Sequence, residues 1–471
     1  MKLPYLQTEN EIIARAFRIA LGDIVTNIQP WKIQVPEERT APVLLAGLDY
    51  DRPWTRDASY HAFFGLSGYM PDITEATLLS ALVSGPEGPI VGGQYWDAVI
   101  WVSGAWRHYC LTGNRQFLTV AREAAANTLR LREKEEYDPD SGLFRGPALL
   151  GDGISAYPDR YAQTGGSPCI LDWPAANPNR RHPDGIGIPM KSLSTNCLYF
   201  GAYTVIREME EELDRNPDEH WPRMAQSLFN SINGRFWSNT HNRYGYLSEG
   251  DDFCDYQECL GHAFALLTKA VPEERIPLVL KNTYISQHGI PCVWPSFPRY
   301  RDESAGTYGR HSGTVWPHAQ ATWAMAAASV GGMDHLSREF RILSEHASKD
   351  EQFLELYHPE TGERYAGEQE YTRWKSCGRQ SWCATGYIGL ILLSVLGLQP
   401  DRRGIHFKPR LPDWAGNLHL SGITVRGKQI SVSTEGSGTK IVKFTVNGGE
   451  TDAFIPYSRL TPECRIEMKL K

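Results

Sequence analysis

The chain of 471 residues lacks several features that would assign it to other classes of protein. It contains no run of 18 apolar residues and no hydrophobic signal core after Met1, so neither a membrane-spanning helix nor a secretory leader is predicted. It also contains no cluster of basic residues, and its formal net charge is −7. Nucleic acid and anionic membranes are therefore not expected as partners.

Cysteine is sparse and scattered. The nine cysteines are odd in number, and none of them forms a CxxC pair or a Cys/His ligand spacing. This pattern indicates reduced, mostly buried thiols, and it predicts a cytoplasmic location. No cofactor and no metal site are predicted. Asp251, Asp252 and Asp255 carry the oxygen ligands that Ca²⁺ prefers, but three acids in a surface loop are usually solvated. The sequence contains no feature from which an oligomeric state can be predicted.

The chain is long enough to bury a sizeable core. Hydrophobic residues make up 41% and charged residues 22% of the chain, which is ordinary for a soluble enzyme. The length favours one large domain and a smaller one. Aromatic residues reach 11%, with 14 Trp and 22 Tyr. Most should pack in the core, and the surplus suits carbohydrate, because an aromatic face packs against the C–H face of a pyranose.

Helical patterns dominate the first 400 residues. Twelve are predicted, at residues 8–24, 57–70, 73–84, 94–112, 114–136, 192–214, 218–235, 255–268, 273–283, 315–331, 333–348 and 381–396. Connections after the even-numbered patterns are short, whereas those after the odd-numbered ones are long, at 25–56, 85–93, 137–191, 236–254, 284–314 and 349–380. Antiparallel helices reverse direction each time, so all six long loops should emerge at one end. The predicted fold is mainly α, an (α/α)6 barrel of six helical hairpins.

After about residue 400 the pattern changes to short alternating or β-branched runs separated by Gly-rich turns. These runs predict a small C-terminal antiparallel β-sandwich domain. The predicted boundaries are a barrel domain at residues 1–398, which would carry the catalytic groups, and a β domain at residues 399–471.

The polar loop at residues 355–363 is the most informative segment. It contains three carboxylates, a proline and a glycine, and it separates the helical patterns at 333–348 and 381–396. A carboxylate such as Glu355, held on a loop at the mouth of a helical barrel, is suited to deprotonating a water molecule. Taken alone, the segment also fits a solvated turn.

A second carboxylate lies in the longest loop. Asp152 stands between two glycines after an apolar run. A partly apolar setting should favour its neutral form, as a general acid requires. An ordinary Asp-Gly turn is the alternative, and Asp172 is the second choice for the acid.

Three further segments on the same side suit sugar binding. Arg56 and Asp57 follow Trp54, and one could donate to a sugar hydroxyl while the other accepts. Gln94 and Trp96 offer an amide and an aromatic face. The plain alternatives are a structural ion pair, a helix cap and core tryptophans. Trp316 and His318, which open the tenth helix, fit the core equally well.

These motifs resemble those of the six-hairpin, (α/α)6-barrel glycoside hydrolases. Residues 54–57 are similar to the Trp-Xaa-Arg/Trp-Asp signature of the first hairpin. Residues 355–362 are similar to the Glu-Asn-Tyr-Asn-Pro-Xaa-Thr-Gly motif of the processing α-glucosidase and mannosylglycerate hydrolase-like group, and residues 313–317 to its Gly-Xaa-Val-Trp-Pro. Residues 380–382 with 397–400 resemble the last barrel helix and the entry to the β domain. Segments similar to the bacterial α-L-rhamnosidase-like group are residues 172–174 and 194–196.

Two departures from these motifs stand out. The Asn that usually follows the base is Leu356, and the acid motif, Gly-Xaa-Asp-Asn-Ser-Pro, is matched only loosely by residues 151–153. The resemblance implies that Glu355 is the general base. With Asp152 as the acid, it implies inverting hydrolysis of a terminal α-linked sugar, with the two carboxyls about 6.5–9.5 Å apart. The expected sugar-binding residues are Trp54, Arg56, Asp57, Gln94, Trp96, Asp172, Lys191, Trp316, Trp374 and Trp382.

Other activities remain open at this point. An α-L-rhamnosidase-like hydrolase is one alternative. In a phosphorylase, phosphate would replace the water, and a sugar epimerase would use histidines in the mouth, namely His61, His311 and His318. A non-catalytic carbohydrate-binding protein is the last alternative. In each case the expected partner is a carbohydrate.

Overall fold

The computed structural model describes residues 3–216, 218–302, 306–369 and 372–471. Each of the twelve predicted helices is present, and a further four-residue helix, Trp173–Ala176, lies in the longest loop. The twelve helices are α1 (Glu11–Thr26), α2 (Thr55–Phe63), α3 (Pro71–Leu79), α4 (Ala98–Thr112), α5 (Arg115–Glu136), α6 (Leu193–Glu212), α7 (His220–Arg235), α8 (Cys259–Leu267), α9 (Ile276–Asn282), α10 (Pro317–Ser329), α11 (Met333–Asp350) and α12 (Ser381–Gly389).

Several helix ends differ from the prediction. The third helix was expected to reach residue 84, but α3 ends at Leu79 and Leu82–Gly85 form a strand. Helices α4 and α8 each begin four residues later than predicted. The second helix was expected to reach residue 70, but α2 ends at Phe63 because Gly65 takes a left-handed conformation, with φ of 83°, before a 3-10 turn at Leu66–Gly68. The last helix keeps its predicted length, but α12 continues as a π-helical segment, Leu390–Val395.

The even-numbered helices form a closed ring. Helix α2 contacts α4, α4 contacts α6, and contacts continue through α8, α10 and α12 back to α2. Helices α1, α3, α5, α7 and α11 pack against members of this ring. The ring helices are apolar on most faces, and every residue of α12 is buried. No helix among the described residues is long and apolar enough to cross a membrane.

Short strands lie within the long loops, and most of the longer strands lie in the C-terminal part of the chain. The strands are β1 (Tyr5–Thr8), β2 (Ile28–Ile33), β3 (Arg39–Leu44), β4 (Leu82–Gly85), β5 (Gly88–Val91), β6 (Tyr137–Asp138), β7 (Leu143–Phe144), β8 (Lys191–Ser192), β9 (Trp237–Ser238), β10 (Arg243–Tyr244), β11 (Leu247–Glu249), β12 (Asp252–Cys254), β13 (Gln257–Glu258), β14 (Val293–Trp294), β15 (Glu368–Gln369), β16 (Thr372–Arg373), β17 (Leu398–Pro400), β18 (Gly404–Phe407), β19 (Leu418–Val425), β20 (Lys428–Glu435), β21 (Ile441–Val446), β22 (Gly449–Glu450), β23 (Phe454–Pro456) and β24 (Glu463–Leu470).

The C-terminal strands form two sheets. One has six strands in the order β1-β19-β20-β24-β21-β22, and the other has the order β17-β18-β23. The prediction of a purely antiparallel domain is wrong, since β24 pairs with β20 in parallel. The chain leaves the six-stranded sheet after β22, passes through β23 and returns as β24 between β20 and β21. Strand β1 pairs with β19, so residues near the start of the chain complete the sheet formed near its end.

Candidate active site

The long loops enclose a cavity of about 260 Å³. Its walls come from the loop before α2, the first turn of α2, the segment before α4, the α5–α6 loop, the loop before α10, the loop after α11 and the first turn of α12. Both candidate catalytic carboxylates line it. The lining residues are Tyr50, Trp54, Arg56, Asp57, Gln94, Leu150, Asp152, Pro168, Cys169, Arg310, His311, Trp316, Glu355, Gln369, Trp374, Gln380 and Trp382.

Glu355 is fixed by three donors. The Tyr50 hydroxyl donates to its Oε1 at 2.7 Å. Arg310 Nη2 donates to its Oε2 at 2.5 Å, and the Cys377 amide donates to the same oxygen at 3.1 Å. The Glu355 side chain is only 2% exposed. A buried carboxylate with a guanidinium and two neutral donors around it is held in a single orientation.

A tight local turn presents Glu355 to the cavity. Tyr357 exchanges backbone hydrogen bonds with Val315, which ties the loop to the segment before α10. The loop then turns so that the Gly362 amide donates to the His358 carbonyl. Gly362 has φ of 65°, and a Cβ there would lie 2.4 Å from the His288 ring. The glycine is therefore required by both its backbone conformation and its surroundings.

Asp152 sits on a crowded turn of the α5–α6 loop. A Cβ on Gly151 would lie 2.1 Å from the Tyr157 hydroxyl, and one on Gly153 would lie 2.0 Å from Gln369 Oε1. The two glycines thus allow the backbone to approach its neighbours closely. The Asp152 side chain remains 31% exposed and lines the cavity, so it is the more accessible of the two carboxylates.

The prediction that Asp152 is held neutral is wrong for this arrangement. Burial favours the neutral form, but the positive charge of Arg56 opposes it. Together with smaller contributions from His311, when that ring is protonated, and from Arg310, it lowers the pKa of Asp152 below its usual value. Arg56 Nη2 donates to Asp152 Oδ2 at 3.0 Å. His311 Nε2 lies 3.5 Å from Oδ1. Burial lowers the pKa of His311 to about 3, so this ring is neutral near pH 7.

Asp57 has the opposite tendency. Burial raises its pKa to about 8, and the neighbouring Glu355 adds to the shift while Arg56 opposes it. Its Oδ1 has no hydrogen-bond partner among the described residues. Asp57 is therefore protonated near pH 7 and lines the cavity with unused hydrogen-bonding capacity.

Tryptophans form the floor and the rim of the cavity. Trp316 and Trp382 are nearly buried, and their rings meet edge to face at 6.3 Å. The guanidinium of Arg56 lies 5.7 Å from the centre of the Trp382 ring, and that of Arg310 lies 5.1 Å from the centre of Trp316. Trp374 is 42% exposed, so it marks the open end.

Three predicted sugar-binding residues lie outside the cavity lining. Trp96 is fully buried and packs edge-on against Tyr95, in a small aromatic core beneath the long loops. Asp172 accepts a hydrogen bond from the Ser167 hydroxyl at 2.5 Å within its own loop. Lys191 is paired with Asp138, at 2.7 Å between Nζ and Oδ2. Core packing and local pairing thus account for these side chains, and none of the three is among the residues that line the cavity.

The remaining predicted residues come together. Asp152, Glu355, Trp54, Arg56, Asp57, Gln94, Trp316, Trp374 and Trp382 all line the one cavity. The cavity lining also includes Tyr50, Arg310 and Gln369, which no sequence pattern indicated, and His311, which was expected there only for an epimerase. The only signal for Arg310 in the sequence was its position, as a basic residue three positions before the 313–317 motif.

The described residues include no group of three His, Cys, Asp or Glu side chains placed to hold a metal ion. Of the acids considered for Ca²⁺, Asp252 pairs with Arg160 and Asp255 pairs with His241. Two of the three histidines considered for an epimerase, His61 and His318, are accounted for by packing, whereas His311 lines the cavity. His61 bonds to Thr385 and Ser381, and His318 stacks on Trp382 at 3.8 Å.

Known structures share this fold at low sequence identity. A sialidase chain matches 98% of this chain with a TM-score of 0.69 and 13% identity. A GH78 rhamnosidase of Bacillus sp. GL1 matches 92% with a TM-score of 0.60 and 16% identity. The present chain spans 41% of the sialidase chain and 42% of the rhamnosidase chain.

A smaller relative corresponds over nearly its whole length. The GH63 mannosylglycerate hydrolase of Thermus thermophilus, solved with glucose, matches 79% of this chain and 99% of its own, with a TM-score of 0.58 and 13% identity. No curated protein sequence matches the chain significantly. The family model of the mannosylglycerate hydrolase MGH1-like glycoside hydrolase domain matches residues 67–382, which is more than half of the chain. The chain therefore belongs to the family of mannosylglycerate hydrolase MGH1-like glycoside hydrolase domains.

Proposed function

We propose that the protein releases a terminal α-linked sugar from a glycoside with inversion at the anomeric carbon. The observation that carries this proposal is that Asp152 and Glu355 line one cavity from two different loops, each fixed by its own arginine. Two carboxyls that flank a single sugar site are the requirement for glycoside hydrolysis. The substrate is a carbohydrate.

In the proposed reaction Asp152 donates its proton to the glycosidic oxygen as the bond from that oxygen to the anomeric carbon breaks. Glu355 accepts a proton from a water molecule, and the water oxygen bonds to the anomeric carbon from the opposite face. Both carboxyls then exchange protons with solvent to return to their starting states. Because Glu355 is held by Tyr50 and Arg310, its orientation is set before the substrate enters.

The cavity shape favours action at a chain end. Trp316 and Trp382 are nearly buried at the floor, and Trp374 is exposed at the rim. A terminal sugar would rest against the floor while the leaving group extends past Trp374. Asp57, protonated near pH 7, would donate a hydrogen bond to a sugar hydroxyl, and Gln94 and Arg56 would complete the grip.

The architecture and location that accompany this function are also proposals. The closed ring and its outer helices support an (α/α)6 barrel at residues 1–398, followed by a β-sandwich at 399–471 that recruits β1. The nine cysteines all lie in the described part of the chain and are free thiols, which supports the cytoplasm as the compartment.

The anomer of the first-formed product tests the proposed function. The enzyme is first screened on α-D-glucosides, α-D-mannosides and α-L-rhamnosides, because the motifs resemble more than one group. On the accepted α-glycoside, ¹H NMR during the first minutes should show the β-anomer appearing before mutarotation. Initial release of the α-anomer, or turnover that requires inorganic phosphate, would contradict inverting hydrolysis.

Replacing Trp374 with alanine is expected to raise KM for a disaccharide by about threefold to tenfold, since one aromatic contact is worth about 0.5–1.5 kcal/mol. KM for the corresponding methyl glycoside should change little, because a methyl leaving group does not reach the rim. Tyr284→Ala is the matched control: Tyr284 is also 42% exposed, but it stacks on Trp294 outside the cavity lining. Equal KM changes for both substrates would place Trp374 elsewhere in the site.

A further inference from the structure

Arg56 stands between two carboxylates, of which only one lines the cavity. Its Nη2 donates to Asp152 Oδ2 at 3.0 Å. Its Nη1 lies 3.4 Å from Asp97 Oδ2. Asp97 directly precedes α4 and is 1% exposed, so it lies behind the arginine and out of reach of a substrate. One guanidinium therefore serves two carboxylates through two different nitrogens.

Asp97 has few other partners. Its Oδ1 has no hydrogen-bond partner among the described residues. The charged and titratable groups that face it are Arg56, Asp57 and Tyr60 of α2 and Asp152 of the α5–α6 loop. Burial raises the pKa of Asp97 to about 7; Arg56 opposes this rise and Asp152 adds to it. Burial therefore favours the protonated form of Asp97 more than is usual for an aspartate, while Arg56 favours the ionised form.

The surroundings of Asp152 contain the same arginine and several further groups. Arg56 and Arg310 carry positive charge, and the neutral His311 lies against Oδ1. Asp97, Cys169 and Tyr157 are the other titratable groups that interact with it. With Arg56 bonded to Asp152, the ionised form of Asp152 is favoured. The proposed reaction requires the protonated form.

We propose that Asp97 is a positioning residue that competes with Asp152 for Arg56, so that pairing of Arg56 with Asp97 leaves Asp152 able to hold the proton it donates. The inference rests on the proposed role of Asp152. The exchange is balanced: one proton passes from Asp97 to Asp152, the negative charge passes the other way, and Arg56 stays positive. Two carboxylates that share one counter-ion titrate as a coupled pair. A partly buried Asp152 without its counter-ion favours the neutral form.

Asp97→Asn tests this competition through the pH profile of kcat/KM. Asparagine keeps the size of the side chain but removes its charge. Asp152 is then the only carboxylate of the two that pairs with Arg56, so the pKa of Asp152 falls. The basic limb, which reports deprotonation of the acid, should move to lower pH by about one unit. Turnover of a disaccharide near pH 7 should fall by about tenfold. Asp97→Glu retains the charge, and its basic limb should stay near that of the wild type. An unmoved limb in Asp97→Asn, or an equal loss of rate at every pH, would refute the proposal.

The leaving group supplies an internal control. Fluoride is a good leaving group that needs no proton from a general acid. Hydrolysis of the matching glycosyl fluoride therefore depends little on Asp152. The limb shift caused by Asp97→Asn should therefore appear with the disaccharide and be absent with the fluoride. A shift of the same size with both substrates would mean that Asp97 acts on another group, and the inference would fail.

A reciprocal measurement does not depend on the folding of the Asp97 variants. In Asp152→Asn, Asp97 is the only one of the two carboxylates that still shares the charge of Arg56. The pKa of Asp97, measured as the midpoint of its ¹³C NMR titration, should therefore fall below its wild-type value. An unchanged midpoint overturns the competition. The same variant separates the two proposals: normal disaccharide turnover in Asp152→Asn refutes the proposed acid, whereas lost turnover with an unchanged Asp97 midpoint refutes only the present inference.

Discussion

Replacing Glu355 with glutamine is expected to lower kcat by about 10²–10⁴-fold, the range that a positioned general base contributes. Glutamine matches the size of glutamate and can still accept from Arg310, but it cannot take a proton from water. Arg310 is nearly buried and loses its counter-charge, so the melting temperature should also fall. Turnover is therefore measured well below that temperature, on protein whose circular dichroism matches the wild type.

Glu363→Gln is the matched control for this variant, because Glu363 lies in the same loop. Its side chain is 66% exposed and pairs with Lys349 on the surface. Removing one exposed ion pair should change stability by less than about 1 kcal/mol. It should leave kcat within about twofold, since surface substitutions of this kind have small effects. If the Glu355→Gln protein is folded and its kcat stays within about tenfold of the wild type, Glu355 is not the general base.

The placement of the helices could be predicted because it follows from periodicity and spacing. Apolar residues recur at helical intervals, and short and long connections alternate, so the long loops had to emerge at one end. That argument alone brought Asp152 and Glu355 to the same side of the molecule. The direction of β24 could not be obtained in this way, since alternation identifies a strand without revealing which neighbour it joins or in which sense.

Which side chain enters the cavity could not be predicted from the local sequence. Gln94 and Trp96 are two residues apart in the same segment, yet Gln94 lines the cavity and Trp96 is fully buried in an aromatic core. The outcome depends on Tyr95 and on the loops that pack above it. Lys191 is similar: its partner Asp138 comes from another part of the same long loop.

The electrostatics of the site depend on partners that are distant in the sequence. The Tyr50 hydroxyl reaches Glu355 from 305 positions away, and Arg56 reaches Asp152 from 96 positions away. An apolar run before Asp152 suggested a raised pKa, but the arginine reverses that direction. Local composition describes the desolvation of a carboxyl, whereas its counter-ions are set by the fold.

Asp152→Asn is expected to lower kcat for a disaccharide by about 10²–10⁴-fold and to have a much smaller effect on the corresponding glycosyl fluoride. The disaccharide needs a proton on its leaving oxygen, and asparagine cannot supply it at neutral pH. Fluoride departs with far less assistance. The ratio of the two effects therefore identifies an acid, whereas a residue that merely binds the sugar would affect both substrates alike.

Asp172→Asn decides between the two carboxyls that the sequence offered as the acid. Asp172 lies outside the cavity lining and is held by the Ser167 hydroxyl, so its replacement should leave kcat for both substrates within about twofold. Asp152→Asn should fold normally, because its side chain is 31% exposed and Arg56 keeps Asp97 as a partner. If the disaccharide activity instead survives in Asp152→Asn and is lost in Asp172→Asn, the acid lies in the turn at Ile170–Asp172, and closure of that loop on the substrate would be required to bring it to the glycosidic oxygen.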